Sequence, residues 1–105
     1  EYYSFLQPTM GLYSNNNDEM SDNDKELYSE LKYINTPYIK RTNNKYNEYR
    51  DVCDNLDFCY DISNIIKYDK ENDYYSDPRH PNKLGNEIIA NKIFKTLVNK
   101  IDHTR

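Results

Sequence analysis

The order of the apolar segments most constrains the fold of this chain, because two short strand-like runs are separated by a long helical stretch. Residues Tyr2–Leu6 are mostly aromatic or apolar and end at Gln7-Pro8, which predicts a buried strand stopped by proline. Residues Phe58–Ile62 predict a second strand. Strands joined through helices run parallel, and parallel sheets are typical of α/β proteins. The order therefore predicts an α/β fold with a parallel sheet.

Helical periodicity predicts two helices between these strands. The first begins near Asp24, and Ser21 or Asp22 is placed to cap it. Its apolar positions are Leu27, Leu31 and Ile34. Pro37 interrupts the pattern, and a second helix is predicted over Tyr38–Leu56. Its weak apolar stripe consists of Ile39, Tyr46, Tyr49, Val52 and Leu56.

The clearest helix is the last one, predicted over Lys83–Ile101 with Asn82 as its N-cap. Its stripe follows steps of three and four residues. The stripe comprises Leu84, Ile88, Ile89, Ile93, Leu97, Val98 and Ile101, widened by Ala90 and Phe94. The polar segment Pro8–Asp24 predicts a surface loop, and the polar segment Tyr68–Ser76 predicts a second loop.

The predicted core is thin for an independent domain. Apolar residues are 36% of the 105 residues, and many are among the 12 tyrosines, whose polar tips need partners. Two parallel strands do not form a stable sheet alone, because the faces and edges of a parallel sheet need cover. We therefore expect residues 1–105 to be a single partial domain, the C-terminal portion of a larger α/β domain.

Charge and hydropathy argue against two classes of partner. The net charge is −4, and the basic residues are interleaved with acidic ones, whereas a nucleic-acid partner requires a basic face. No run is long and apolar enough to predict a membrane span.

The two cysteines, Cys53 and Cys59, leave two interpretations open. Their spacing is compatible with a local disulfide and also with two partly buried thiols. They do not predict a zinc site, because zinc usually takes four ligands and both histidines lie far along the chain. No metal or other cofactor is expected. A disulfide would favour a compartment outside the reducing cytosol; the sequence does not otherwise determine the localisation.

One tight turn, Asp77-Pro78-Arg79-His80, places a carboxylate beside an imidazole. Asp and Pro are favoured at the first two positions of a type I turn, which folds His80 back toward Asp77. A carboxylate that accepts a proton from one ring nitrogen leaves the other nitrogen to act as a base. The alternative is a surface turn in which Asp77 only caps the backbone. Arg79 either contacts an anionic substrate or is an ordinary exposed arginine.

The segment that begins at this turn resembles the C-terminal block of the SGNH (GDSL) hydrolase family. Residues 77–90 read Asp-Pro-Arg-His-Pro-Asn-Lys-Leu-Gly-Asn-Glu-Ile-Ile-Ala. In that family an Asp-x-x-His pair is followed by a small polar residue, a Gly-Asn pair and an apolar helix. The strong similarity covers about Asp61 to Leu97, and the two predicted strands are also similar to the family's final strands.

The resemblance implies a three-layer α/β/α flavodoxin-like fold and ester hydrolysis. It implies that a serine attacks the carbonyl, that His80 is first base and then acid, and that Asp77 orients His80. It implies an ester substrate, an acylated lipid or an acetylated sugar. Gly85 has a structural interpretation of its own: it places no side chain where the first turn of the helix lies against the Asp77–His80 loop.

This chain departs from the family in lacking its earlier blocks. None of its serines follows Gly-Asp, and no Gly-x-Asn-Asp sequence is present. These serines are Ser4, Ser14, Ser21, Ser29, Ser63 and Ser76. The leading hypothesis is therefore the C-terminal portion of an SGNH-type esterase that supplies Asp77 and His80.

Two alternatives remain. One is an inactive remnant that serves as a protein- or glycan-interaction module. The other, a metal-dependent phosphoesterase, would need further ligands that the sequence does not cluster. Tyr74 and Tyr75 either line a substrate cleft or cover the sheet edge.

Overall fold

The computed structural model describes residues 2–12, 19–34 and 36–103. The helices of this part are α1 (Asp22–Ile34), α2 (Thr36–Asp54) and α3 (Lys83–His103). The strands are β1 (Ser4–Leu6), β2 (Cys59–Asp61), β3 (Tyr75–Asp77) and β4 (His80–Pro81).

Strands β1 and β2 form a parallel pair, with Ser4 opposite Cys59 and Leu6 opposite Asp61. The predicted combination of helices with a small parallel sheet is thus confirmed. Strands β3 and β4 form a separate antiparallel hairpin that the sequence did not predict. Polar residues surround these two very short strands, so no alternating apolar pattern marks them.

The helix boundaries follow from local capping. The Asp24 backbone N–H donates to Ser21 Oγ at 3.2 Å, so Ser21 is the N-cap of α1. Of the two predicted caps, Ser21 and Asp22, the first is therefore confirmed. Helix α2 begins at Thr36, so Pro37 lies in its first turn. Proline is tolerated there because the backbone N–H groups of the first turn have no acceptor within the helix. Pro37 starts the second helix where the sequence predicted only an interruption.

The core contains residues from both polar segments that were predicted to be loops. The buried cluster consists of Met10, Met20, Ile62, Ile66, Tyr68, Tyr74, Tyr75 and Ile89. The described residues between β1 and α1 are loop, as predicted for most of Pro8–Asp24, but their predicted position on the surface was wrong because Met10, Leu12 and Met20 are buried; residues 13–18 lie outside the described residues. Both segments look polar because single methionines and tyrosines stand between charged and amide residues.

The predicted apolar stripe of α2 was largely wrong. Ile39 is buried, but Tyr49 and Val52 are 49% and 59% exposed. The inward side of the helix includes Asn43, whose side-chain amide donates to the carbonyls of Gly11 (2.9 Å) and Ile39 (2.8 Å). A buried amide with both partners in place is stable there, and apolar periodicity cannot detect it.

The stripe of α3 is narrower than predicted. Ile89 is buried, whereas Phe94 and Ile101 are 67% and 50% exposed. Leu84, Ile88 and Ile93 pack partly buried against the core. The helix therefore covers the core with its N-terminal half and leaves apolar surface farther along.

Of the two interpretations of the cysteines, the structure shows the disulfide. Cys53 in the last turn of α2 is bonded to Cys59 at the start of β2, with the Cα atoms 5.1 Å apart. In the described part of the chain, no helix combines the length and apolar character needed to cross a membrane.

Candidate active site

The Asp77–His80 turn closes the β3–β4 hairpin. Asp77 is the last residue of β3, and His80 is the first residue of β4. Asp77 Oδ1 accepts the backbone N–H of Arg79 at 2.9 Å and that of His80 at 3.0 Å. These hydrogen bonds are the ones that an aspartate makes at the start of a turn, so the local sequence fixes the loop.

The imidazole of His80 lies against the carboxylate of Asp77, as predicted. His80 Nδ1 is 2.9 Å from both Oδ1 and Oδ2 of Asp77. A carboxylate only accepts hydrogen bonds, so this contact assigns the proton of the neutral ring to Nδ1. The lone pair is then on Nε2, in a side chain that is 76% exposed. The pair can therefore accept a proton from a hydroxyl group that comes within hydrogen-bond distance of Nε2.

The turn also sets the charge of Asp77. The pKa of Asp77 is lowered, first by the Arg79 backbone N–H and then by the hydrogen bond from the His80 ring. The carboxylate therefore stays ionised at pH values where an ordinary aspartate begins to take up a proton.

A buried carboxylate fixes the hairpin on its inner side. Asp24, at the start of α1, accepts the backbone N–H of Tyr74 at 2.9 Å and that of Tyr75 at 3.3 Å. The Asn23 side chain donates to the Tyr75 carbonyl at 3.2 Å. Burial raises the pKa of Asp24, and the two backbone hydrogen bonds oppose that shift.

The outer end of the turn is held by the segment after β1. The Pro78 carbonyl accepts the Met10 backbone N–H at 3.2 Å and the Thr9 hydroxyl at 3.4 Å. The turn is thus attached to chain far away in sequence as well as to its own strands.

Asn82 and Gly85 join the hairpin to α3. Asn82 Oδ1 accepts the Gly85 N–H at 2.9 Å, which confirms the predicted N-cap. The Asn82 backbone N–H donates to the Tyr74 carbonyl at 2.9 Å. A Cβ at Gly85 would lie 2.4 Å from the Tyr74 carbonyl oxygen, so no side chain fits there. The expected role of Gly85 in close packing is confirmed.

Tyr74 and Tyr75 are core residues, so they do not line an open substrate cleft. They are 5% and 1% exposed. The Tyr74 hydroxyl donates to the Asp69 carboxylate, and burial together with that negative charge raises the pKa of Tyr74 to about 12.

Arg79 is held beside His80 by a residue that sequence reasoning missed. Its Nε donates to the Tyr38 hydroxyl at 3.1 Å, and its guanidinium lies 5.0 Å from the centre of the Tyr38 ring. The two residues are 41 positions apart, so no local pattern pairs them.

The described residues do not place a serine hydroxyl on His80. Ser63 is buried; its hydroxyl donates to Asp61 at 2.6 Å and accepts from Arg50 at 2.9 Å. Ser21 is buried as the cap of α1. Ser14 and the segment 15–18 lie outside the described residues.

The described part of the chain also contains no group of three or more His, Cys, Asp or Glu side chains arranged to hold a metal ion.

Comparison of the chain with protein-family models, curated proteins and solved structures finds no match. The geometry of Asp77 and His80, together with the sequence that follows them, is the basis for a functional assignment.

Proposed function

We propose that this chain is the C-terminal portion of an SGNH/GDSL-type serine esterase or lipase-like hydrolase, and that it supplies the catalytic aspartate and histidine. The observation that carries the proposal is the contact of His80 Nδ1 with both oxygens of Asp77 at 2.9 Å, in a side chain that is 76% exposed. The close packing of Gly85 under the same hairpin supports it.

In the proposed reaction, Nε2 of His80 takes the proton of a serine hydroxyl supplied by another part of the parent protein. The serine oxygen attacks the ester carbonyl, and Asp77 stabilises the resulting imidazolium. The imidazolium gives its proton to the leaving alkoxide, which departs as an alcohol. Water then hydrolyses the acyl-enzyme, with His80 again acting first as base and then as acid. An acylated lipid or an acetylated sugar is the proposed substrate.

The surface around β1 supports the idea of a partial domain. Among the described residues β1 pairs with β2 only, so its other edge has no strand partner. An apolar groove of about 220 Å³ lies beside β1, with Phe5, Leu6 and Val52 in its lining. Unpaired edges and apolar surface of this kind are usually covered in a complete α/β domain.

The test is ester hydrolysis by the complete product of the reading frame that encodes this chain. We expect that product to cleave p-nitrophenyl acetate. The substitution His80→Ala should lower kcat/KM by about 10³-fold, which is the effect expected when a general base is lost. Asp77→Asn should lower it less, because the base itself remains. The 105-residue chain alone should give no hydrolysis above background.

Ser76→Ala is the matched control, because Ser76 is exposed on β3 next to Asp77. It should leave the rate unchanged. Unaltered hydrolysis by His80→Ala would remove His80 from the reaction. A complete reading frame without a Gly-Asp-Ser block upstream would exclude the serine mechanism.

A further inference from the structure

The side chain of Arg79 does not pair with the carboxylate of its own turn. The backbone N–H of Arg79 donates to Asp77 Oδ1 at 2.9 Å. Its guanidinium, however, makes no ion pair with Asp77 or with any other acid among the described residues. Both oxygens of Asp77 face the His80 ring instead. The positive charge of Arg79 is therefore directed away from the nearest carboxylate in the sequence.

Tyr38, a half-buried residue of α2, gives the guanidinium its direction. The Nε–H of Arg79 donates to the Tyr38 hydroxyl at 3.1 Å, and Cζ lies 5.0 Å from the centre of the ring. An aromatic ring contacts the face of a guanidinium, whereas the N–H groups point outward in its plane. Within the described part of the chain, no hydrogen bond uses the terminal nitrogens Nη1 and Nη2. Because Arg79 is exposed, these two nitrogens are both oriented and accessible.

The oriented guanidinium belongs to the residue directly before His80. The turn that carries both residues is attached to the segment after β1, so their relative position is fixed. The fork formed by Nη1 and Nη2 matches the two oxygens of a carboxylate. A phosphate dianion suits this position less well, because the ionised Asp77 in the same turn repels two negative charges more strongly than one. The chemistry beside the imidazole is thus that of a carboxylate subsite.

We propose that Arg79 is a specificity-determining residue, which binds a carboxylate of the ester substrate through Nη1 and Nη2. Tyr38 is then a positioning residue, because it acts only through the guanidinium. That the ligand is an ester cleaved at His80 rests on the proposed function, whereas the binding of a carboxylate by Arg79 is measurable without hydrolysis. The carboxylate belongs either to the acyl group or to the alcohol of the ester, and two pairs of esters distinguish these positions.

The hydrolysis test uses the complete product of the reading frame. Mono-4-nitrophenyl adipate carries a carboxylate on its acyl group, and 4-nitrophenyl hexanoate is its neutral counterpart. 4-Acetoxybenzoate carries the carboxylate on its alcohol, and 4-acetoxybenzamide is neutral. We expect Arg79→Gln to lower kcat/KM about fivefold for the anionic ester of one pair, the upper range for an exposed ion pair, through KM and not kcat. The neutral esters should change less than about twofold.

Lys83→Gln is the matched control, because it removes one exposed positive charge just after the hairpin, outside the turn. It should change the rates of all four esters less than about twofold. Tyr38→Phe keeps the ring but removes the hydroxyl that accepts from Nε. It should give part of the Arg79→Gln loss, again as a higher KM for the same anionic ester alone. Arg79→Lys should also give a partial loss, because an ammonium keeps the charge but not the fork.

Binding of amides separates this inference from the esterase assignment. Adipanilic acid and 4-acetamidobenzoate, which resemble the two anionic esters, are titrated into the complete product. NMR follows the Arg79 Nε–H resonance, identified by its loss in Arg79→Gln. We expect a saturable shift with one of these acids and no shift with its neutral counterpart, hexananilide or 4-acetamidobenzamide.

Failure to hydrolyse either neutral ester would overturn the esterase assignment, while a shift with one acid alone would still support carboxylate binding by Arg79. The absence of a shift with both acids would overturn the role of Arg79, even in an active esterase. Equal losses in Arg79→Gln and Lys83→Gln, or equal losses for the anionic and neutral esters, would overturn it as well.

Discussion

At the residue scale, the Asp77 carboxylate closes the turn and orients the imidazole at the same time. It accepts the backbone N–H groups of Arg79 and His80 and also faces His80 Nδ1. Both side chains of the pair are more than half exposed, so the contact contributes orientation more than stability. Because the pair is already formed in the chain alone, the proposed proton transfer to Nε2 needs no reorganisation of the turn.

These contacts lie within four residues, which is why the sequence predicts them. Asp24 could not be found in the same way, because its partners Tyr74 and Tyr75 are 50 and 51 residues away. Tyr38 was missed for the same reason. Local turn chemistry can be read from neighbouring residues, whereas the supports of the turn depend on the tertiary fold.

Asp24→Asn should destabilise the protein, with a pH dependence that follows from its raised pKa. An amide accepts through one oxygen only and turns an N–H toward a backbone donor, which costs about 1–3 kcal/mol at neutral pH. A carboxyl whose pKa is raised on folding binds its proton more tightly in the native state. The stability that comes from this tighter proton binding is fully present below the unfolded pKa of about 3.9. It is lost as the pH rises through the pKa of the folded state.

Urea unfolding of the original chain and of Asp24→Asn between pH 4 and 7 measures this contribution. The amount by which the unfolding free energy of the original chain exceeds that of Asp24→Asn should grow as the pH falls. Asp22→Asn, at an exposed carboxylate in the first turn of the same helix, is the control. A difference that shrinks on acidification would show that burial does not dominate at Asp24.

At the element scale, the β3–β4 hairpin is positioned by its junction with α3. Asn82 caps the helix and also bonds back to the hairpin, and Gly85 lets the first turn of the helix approach the Tyr74 carbonyl. The helix and its cap were predictable from periodicity and the Asn82 position. The hairpin was not, because its strands have only three and two residues and no alternating pattern.

Gly85→Ala should destabilise the protein, although alanine favours a helix over glycine by about 1 kcal/mol. The added Cβ would meet a backbone oxygen at 2.4 Å and the Pro81 Cβ at 2.9 Å, and the backbone cannot rotate away as a flexible side chain would. We expect a net loss of about 1–3 kcal/mol. Urea unfolding measures it, with exposed Asn91→Ala on α3 as the control. A Gly85→Ala variant more stable than the original chain would contradict the close packing.

Reduction of the disulfide should loosen the junction of α2 with β2. The bond closes a loop between residues six positions apart, for which the entropy of loop closure predicts a loss of about 2 kcal/mol. Chemical denaturation with and without dithiothreitol measures this loss. A Cys53→Ser/Cys59→Ser variant, which should be insensitive to the reductant, is the control. An unfolding midpoint that does not move on reduction would contradict a stabilising role.

At the scale of the whole molecule, the core lies between the hairpin, the start of α3 and the segments that lead into the helices. The sequence predicts the mixed α/β class, because strand and helix patterns alternate along it. It mislocates the core, because buried tyrosines, methionines and Asn43 stand in polar surroundings. Apolar residues such as Val52 and Phe94 are exposed and lie outside this core.

The central claim is that Asp77 fixes the His80 ring with its proton on Nδ1 and its lone pair on Nε2. The most direct measurement is a long-range ¹H–¹⁵N NMR spectrum of the imidazole, recorded at a pH where the ring is neutral. The account predicts a protonated Nδ1 and an unprotonated Nε2 in the original chain, with loss of that preference in Asp77→Ala. A proton on Nε2 in the original chain, or the same spectrum in both proteins, would contradict it.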